Sequence, residues 1–132
     1  MPGETTMKLT PVLLVDEIEP CLSLWLDRLG WTKTVEVPDG DKLGFVILMK
    51  DGAELMYQTW SSVEKDLGTP KGTRGGTSAA IFIEVPDLSD IERRIEGLPI
   101  ALPRRRTFYG MDEVGVTEAG GHVVIFAQPS RD

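Results

Sequence analysis

"PVLLVDEIEPCLSLWLDRLGW" (residues 11–31) decides how this chain is read. It opens as a short aliphatic run, residues 11–15, of the kind that forms a strand. The apolar period then changes. Ile18, Leu22, Trp25 and Leu29 fall at i, i+4, i+7 and i+11, one stripe of a helix. Pro20 sits in the first turn, where its missing N–H costs little, and Gly30 suits the left-handed residue that ends a helix. A strand therefore leads directly into an amphipathic helix.

Three strand-like runs follow. Residues 31–37 end at the turn Pro38-Asp39-Gly40, and residues 42–50 end at Asp51-Gly52, a strong hairpin signal. Residues 53–60 complete the meander. A polar stretch rich in Gly, Lys and Thr comes next, with a helical turn expected at 62–67. The first pattern then recurs. Residues 79–85 read as a strand, and residues 87–97 as a helix with stripe Leu88, Ile91, Ile95 and cap Asp87. Residues 99–105, 107–117 and 122–128 read as three more strands. This is an internal duplication with a period of about 70 residues.

We therefore expect an α+β fold of two tandem β-α-β-β-β modules, 8–60 and 78–128, joined by a linker at 61–77 within one domain spanning 1–132. A helix covers one face of each sheet and leaves the other open. Two copies can curl their open faces around a concave cavity, and period-two alternation names the side chains that enter it.

Composition narrows the partners. A net charge of -7 argues against nucleic acid, whose phosphates need a basic face. It is compatible with a neutral or cationic ligand. One cysteine, Cys21, excludes an internal disulfide. No apolar stretch approaches the roughly 20 residues of a membrane helix, and no secretory signal is visible, so the expected location is the cytoplasm.

The stretch 11–31, together with "GAELMYQ" (52–58), "IFIEVPDLSDIERRI" (81–95) and "TFYGMDEVGVTEAGGHVVIFAQ" (107–128), resembles the vicinal oxygen chelate superfamily. This group is also called the glyoxalase/bleomycin resistance/dioxygenase fold. The resemblance implies that metal-using relatives take a His, or sometimes a Gln or Glu, from the first strand of each module and a Glu from its last. Carried over, those positions are Thr10, Met56, Ala80 and Ile125, with Glu54 one alternation from Met56. Such a set lacks the several oxygen or imidazole donors that a divalent ion requires. A register slip of two would bring in Glu54 or Glu84, but still no His. The single histidine, His122, stands three residues before Ile125 in opposite alternation and reads as a strand-end residue. No metal and no cofactor are therefore expected.

On the same alignment the cavity faces are Thr10, Val12 and Leu14; Glu54, Met56 and Gln58; Ala80, Phe82 and Glu84; and Val123, Ile125 and Ala127. Leu55, Tyr57, Ile81, Ile83, Val124 and Phe126 face the helices. Tyr109, Met111 and Glu113 share one strand face, so a phenol and a carboxylate should lie close together. Of Arg104, Arg105 and Arg106, only the first and third can share a face. Trp60 is a candidate for a cavity mouth or a subunit interface. The expected ligand-binding set is Glu54, Met56, Gln58, Trp60, Phe82, Glu84, Tyr109 and Glu113.

The function that follows is a metal-independent small-molecule-binding protein, similar to the bleomycin resistance branch. It would sequester a cationic or aromatic compound, in the manner of an antibiotic resistance protein. The alternative is a glyoxalase- or dioxygenase-like enzyme, a lyase or oxidoreductase with an atypical site. The resemblance further implies a homodimer.

Overall fold

The computed structural model describes residues 7–67 and 79–131. The first four strands are β1 (Val12–Val15), β2 (Thr32–Asp39), β3 (Lys42–Lys50) and β4 (Ala53–Thr59). They form one sheet in the order β1-β4-β3-β2. The second sheet contains β5 (Ala80–Glu84), β6 (Ile100–Arg106), β7 (Met111–Thr117) and β8 (Val123–Pro129), in the order β5-β8-β7-β6. In each sheet the first strand runs parallel to the last and the other pairings are antiparallel. Two β-α-β-β-β modules are thus laid out with the same topology. Helix α1 (Trp60–Leu67) takes in the helical turn expected at 62–67, and residues 68–77 of the expected linker lie outside the described residues.

Local chemistry explains the turns. Asp51 (φ 51°) and Gly52 (φ 84°) both adopt positive φ, the two-residue hairpin geometry that an Asp-Gly pair favours. Helix α2 (Leu88–Arg94) is capped by Asp87, whose carboxylate accepts from the N–H groups of Ser89 at 3.1 Å and Asp90 at 3.3 Å. It is shorter than the expected 87–97, because the chain leaves the helix after Ile95 and turns at Gly97, φ 88°.

The first helical segment departs from the regular α-helix expected over 17–30. It begins as a 3-10 turn, Glu19–Cys21, with Pro20 in the first turn, and continues as a π-helix, Ser23–Arg28. The N–H of Leu29 reaches back five residues to the carbonyl of Leu24 at 3.0 Å. A wider turn rotates the apolar stripe. Cys21 and Leu24 are buried alongside Ile18, Trp25 and Leu29, whereas Leu22 is only half-buried.

The helix-side faces of both sheets share one core. Leu13, Val15, Leu55 and Tyr57 from the first sheet meet Val114, Val116, Val124 and Phe126 from the second, sealed by Ile18, Trp25, Leu88 and Ile95. Polar groups cross-link the modules inside it. Trp25 Nε1 donates to the Tyr57 hydroxyl at 3.0 Å, and that hydroxyl donates to Glu118 Oε2 at 2.5 Å. The other oxygen of Glu118 accepts the His122 N–H at 2.6 Å. Glu118 is buried, and these donors make a buried carboxylate tolerable. At the surface, two arginines at matching helix ends are exchanged. Arg28 Nη1 donates to the carbonyls of Arg94 and Glu96, and Arg94 Nη1 donates to the carbonyl of Arg28.

Between β7 and β8 the chain passes so close to β1 that a Cβ on Gly120 would lie 2.5 Å from Val15 Cγ1. Val15 belongs to the core and has little room to yield. Gly120→Ala should therefore destabilise the fold by about 1–3 kcal/mol, read as a lower urea midpoint with an unchanged slope.

Candidate functional site

Alternation leaves the outer face of each sheet free of helix. On the first sheet this face carries Val12, Leu14, Met56 and Gln58, with Val35, Val37, Phe45 and Ile47 in cross-strand register. Much of it reaches solvent; Val12 is 44% exposed. A cleft of about 410 Å³ opens here, walled by Val37, Phe45 and Gln58 and closed at one end by Ser62 and Lys65 of α1. Gln58 Nε2 donates to Ser62 Oγ at 3.0 Å, and Lys65 pairs with Asp39 at 2.5 Å, which holds the Asp39 carboxyl below its usual range. The cleft is apolar along its floor and polar at its end.

The second sheet's outer face carries Phe82, Val123, Ile125, Leu102, Arg105 and Glu113. Phe82 is 51% exposed, whereas Glu113 is only 1% exposed. Two neighbours cover its carboxylate. Arg105 donates to Glu113 Oε1 through Nε at 3.3 Å and Nη2 at 3.2 Å, and the Tyr109 hydroxyl donates to Oε2. The hydrogen bond to Glu113 raises the Tyr109 phenol above its ordinary value, with burial and the carboxylate charge adding to it. The phenol and carboxylate lie together, but not along one strand face as expected over 107–117: β7 begins at Met111, and Tyr109 reaches Glu113 from the turn before it. Arg104 and Arg106 point the other way, both onto Asp112, which Arg106 and Ser130 hold below the usual carboxylate range. What the sequence did not disclose is that Arg105 lies opposite Glu113, because β6 carries two register shifts that no local pattern announces.

The residues expected to bind a ligand divide between the two sheets. Glu54, Met56 and Gln58 stand on the first, and Phe82, Glu84, Tyr109 and Glu113 on or beside the second. Trp60 is 9% exposed and opens helix α1 in the packed interior. Phe45 and Val37, which line the cleft, lie on β3 and β2, outside the expected ligand-binding set. Their signal was the period-two alternation of residues 31–50, read through the register of β2 and β3.

The metal positions implied by resemblance can be tested on the donors present. Val12, not Thr10, pairs with Met56, and Phe82, not Ala80, pairs with Ile125, so each implied pair is diagonal rather than level. The carboxylate beside Thr10 is that of Glu54, which accepts from Thr10 Oγ1 at 2.9 Å and from the Lys8 ammonium at 3.0 Å. Those two hydrogen bonds, Lys8 first, lower its pKa. Among the described residues no group of three or more His, Cys, Asp and Glu side chains could hold a metal ion. These donors do not fit the metal centre of metal-using relatives.

His122 is held elsewhere. It is 4% exposed. Its Nδ1 accepts the Ala79 N–H at 2.9 Å, and its Nε2 lies 3.1 Å from the Leu14 carbonyl, to which it must donate. These partners assign a neutral Nε2–H ring that joins the second module to the first.

No family model matches this chain, and no curated protein matches it either. Solved structures do. A glyoxalase/bleomycin resistance protein/dioxygenase from Nocardioides has 13% identity and a TM-score of 0.72, the alignment covering 98% of this chain and 88% of that one. A lactoylglutathione lyase from Agrobacterium tumefaciens has 15% identity and a TM-score of 0.74 over 95% of both chains. TnmS3, an antibiotic binding protein from Streptomyces sp. CB03234, has 15% identity and a TM-score of 0.68 over 96% of this chain and all of its own. The chain therefore has the vicinal oxygen chelate fold. Among the described residues no helix is long and apolar enough to cross a membrane.

Beneath the outer face of the first sheet, Cys21 lies in the core, where burial and then the Glu118 charge push its thiol up to about 12. Because the thiolate is the nucleophile, almost none is present at neutral pH. Iodoacetamide at pH 8 should leave the native chain unmodified and label Cys21 fully in guanidinium, as intact mass would show.

Proposed function

We propose that this chain is a metal-independent binding protein for a small aromatic or cationic compound, held on the open faces of its two sheets. One observation carries the reading. Those faces are apolar and half-exposed, while two of their carboxylates are already satisfied by the chain's own cations: part-buried Glu54 by Lys8, and buried Glu113 by Arg105. An apolar wall with few, fixed polar groups is the usual chemistry of a small-molecule site. The cleft of about 410 Å³ on the first sheet lies within the usual range for a ligand pocket. The neighbour TnmS3 is described as antibiotic binding, which favours the same reading. Excess negative charge over the whole chain would draw a cation toward it.

The site is completed by a second copy. Val12, Val35, Val37, Phe82 and Tyr109 are all exposed by 40% or more. Apolar surface of this extent on sheet faces is costly in water, and a homodimer that sets the first sheet of one protomer opposite the second sheet of its partner would cover it around a shared cavity. Light scattering should give twice the chain mass of 14.5 kDa. Phe82→Lys should shift the equilibrium toward the monomer.

The alternative is catalysis, favoured by the Tyr109–Glu113–Arg105 cluster and by the lyase among the neighbours. There Glu113 would exchange a proton with Tyr109 or with substrate. One experiment separates the readings. Chelator-treated protein is titrated with zinc, nickel, iron or manganese by calorimetry, then screened by thermal shift against aromatic and basic compounds. We expect no saturable metal binding and a concentration-dependent rise in Tm for one compound class, lost in Phe45→Ala. Stoichiometric metal uptake that disappears in Glu54→Gln or Glu113→Gln would overturn the binding reading.

A further inference from the structure

The duplicated modules meet along two equivalent seams, and these are filled differently. Registers Val12–Met56 and Phe82–Ile125 make β1 equivalent to β5, so Leu14 matches Glu84 and Val15 matches Val85. The hairpin glycines Gly52 and Gly121, both at positive φ, match Ala53 to His122 and Tyr57 to Phe126. At one seam the His122 ring reaches the Leu14 carbonyl, and the Tyr57 hydroxyl reaches Glu118. At the other, the methyl of Ala53 stands where the imidazole would be, opposite Glu84, and Phe126 has no hydroxyl to extend. The side chains that close the first seam are missing from the second. A cavity of about 360 Å³ remains there, lined by residues of both modules, the larger share from the second.

We propose that this seam cavity is a second small-molecule site, distinct from the open sheet faces, that takes an organic cation with a one- or two-ring aromatic body. The floor is apolar: Leu29, Trp31, Ile83, Val85, Ile91 and Phe126. Trp31 is half-buried and held edge-on against Trp25, with ring centroids 4.9 Å apart, so its own ring is pre-positioned for stacking or for a cation. Three carboxylates, those of Asp51, Asp87 and Asp90, belong to residues that line it beside two cations, Lys50 and Arg94. Both cations are turned toward protein acceptors. Lys50 Nζ donates to the Leu29 carbonyl at 2.9 Å, and Arg94 donates to Asp90 Oδ2 at 2.8 Å and to the Arg28 carbonyl at 3.2 Å. An anion would have to displace one of these bonds. A cation would meet exposed Asp51 directly. The size sits at the lower end of ligand pockets, which sets the limit of about two rings.

The test uses the full chain and two probes of nearly the same shape, phenethylamine (cationic at pH 7) and neutral 2-phenylethanol, followed by amide and indole NMR shifts. Phenethylamine should give saturable shifts at the Trp31 indole and at Ala53, Glu84 and Ile91, with an affinity several-fold above that of the alcohol. Ala53→Phe fills the cavity from an exposed position and should weaken this binding at least about tenfold. It should leave alone any compound that shifts Phe45 or Gln58 on the first sheet's open face. Asp51→Asn leaves the space but removes charge, and should bring the two probes to equal affinity. The proposal fails if neither probe gives saturable shifts at Trp31, or if those shifts survive Ala53→Phe. Equal binding of both probes by the unmodified chain would overturn the cation.

Discussion

The structure depends on one buried carboxylate. Glu118 leaves the end of β7 and enters the core between the modules, where the Tyr57 hydroxyl and the His122 N–H both donate to it. Burial without those donors would cost several kcal/mol. Tyr57 and Trp25 belong to the first module and Glu118 and His122 to the second, so the network forms only when the two are docked. The same groups condition one another. Burial and the charge of Glu118 push the Tyr57 phenol far above its ordinary value and keep Cys21 a thiol. This polar joint specifies an alignment that the surrounding apolar contacts would leave loose.

With the helix-side faces committed to that core, the outer faces stay largely open to solvent. Their chemistry is quiet. Two of the acids that the sequence offers as ligand contacts, Glu54 and Glu113, are drawn into pairs with Lys8 and Arg105, and the positions that the resemblance implies for metal ligands carry a hydroxyl, a thioether and two hydrocarbon groups. On the binding reading proposed above, a face of this kind would recognise shape and apolar area first, and charge second. The neighbours of similar fold include both a binding protein and a lyase, which fits a scaffold whose chemistry resides in a few side chains rather than in the sheet.

Duplication adds a further consequence. Two copies of one module give two seams, and selection can close one and leave the other. Here a histidine fills one position and an alanine the matching one. The Arg28–Arg94 exchange shows how closely the pseudo-symmetry persists where both copies retain the same residue. Where they differ, packing differs, and a cavity is the result.

Much of this was legible in the residues alone. Alternation in 42–50 and 53–60, the Asp51-Gly52 turn, the Asp87 cap and the repeat of the pattern after residue 78 determine two β-α-β-β-β modules, because each signal is local and its period is set by the backbone. The split of Arg104 and Arg106 from Arg105 follows from the same alternation. Other features needed tertiary structure. The π-turn at Ser23–Arg28, the register shifts of β6, the placement of Arg105 over Glu113 and the double engagement of His122 all depend on distant partners. The sequence by itself determined the order of the elements and, where strands alternate regularly, which face each side chain takes. Only the folded chain decided which charges are neutralised and which seam stays open, because those outcomes rest on contacts between residues far apart in the chain, and no local period records them.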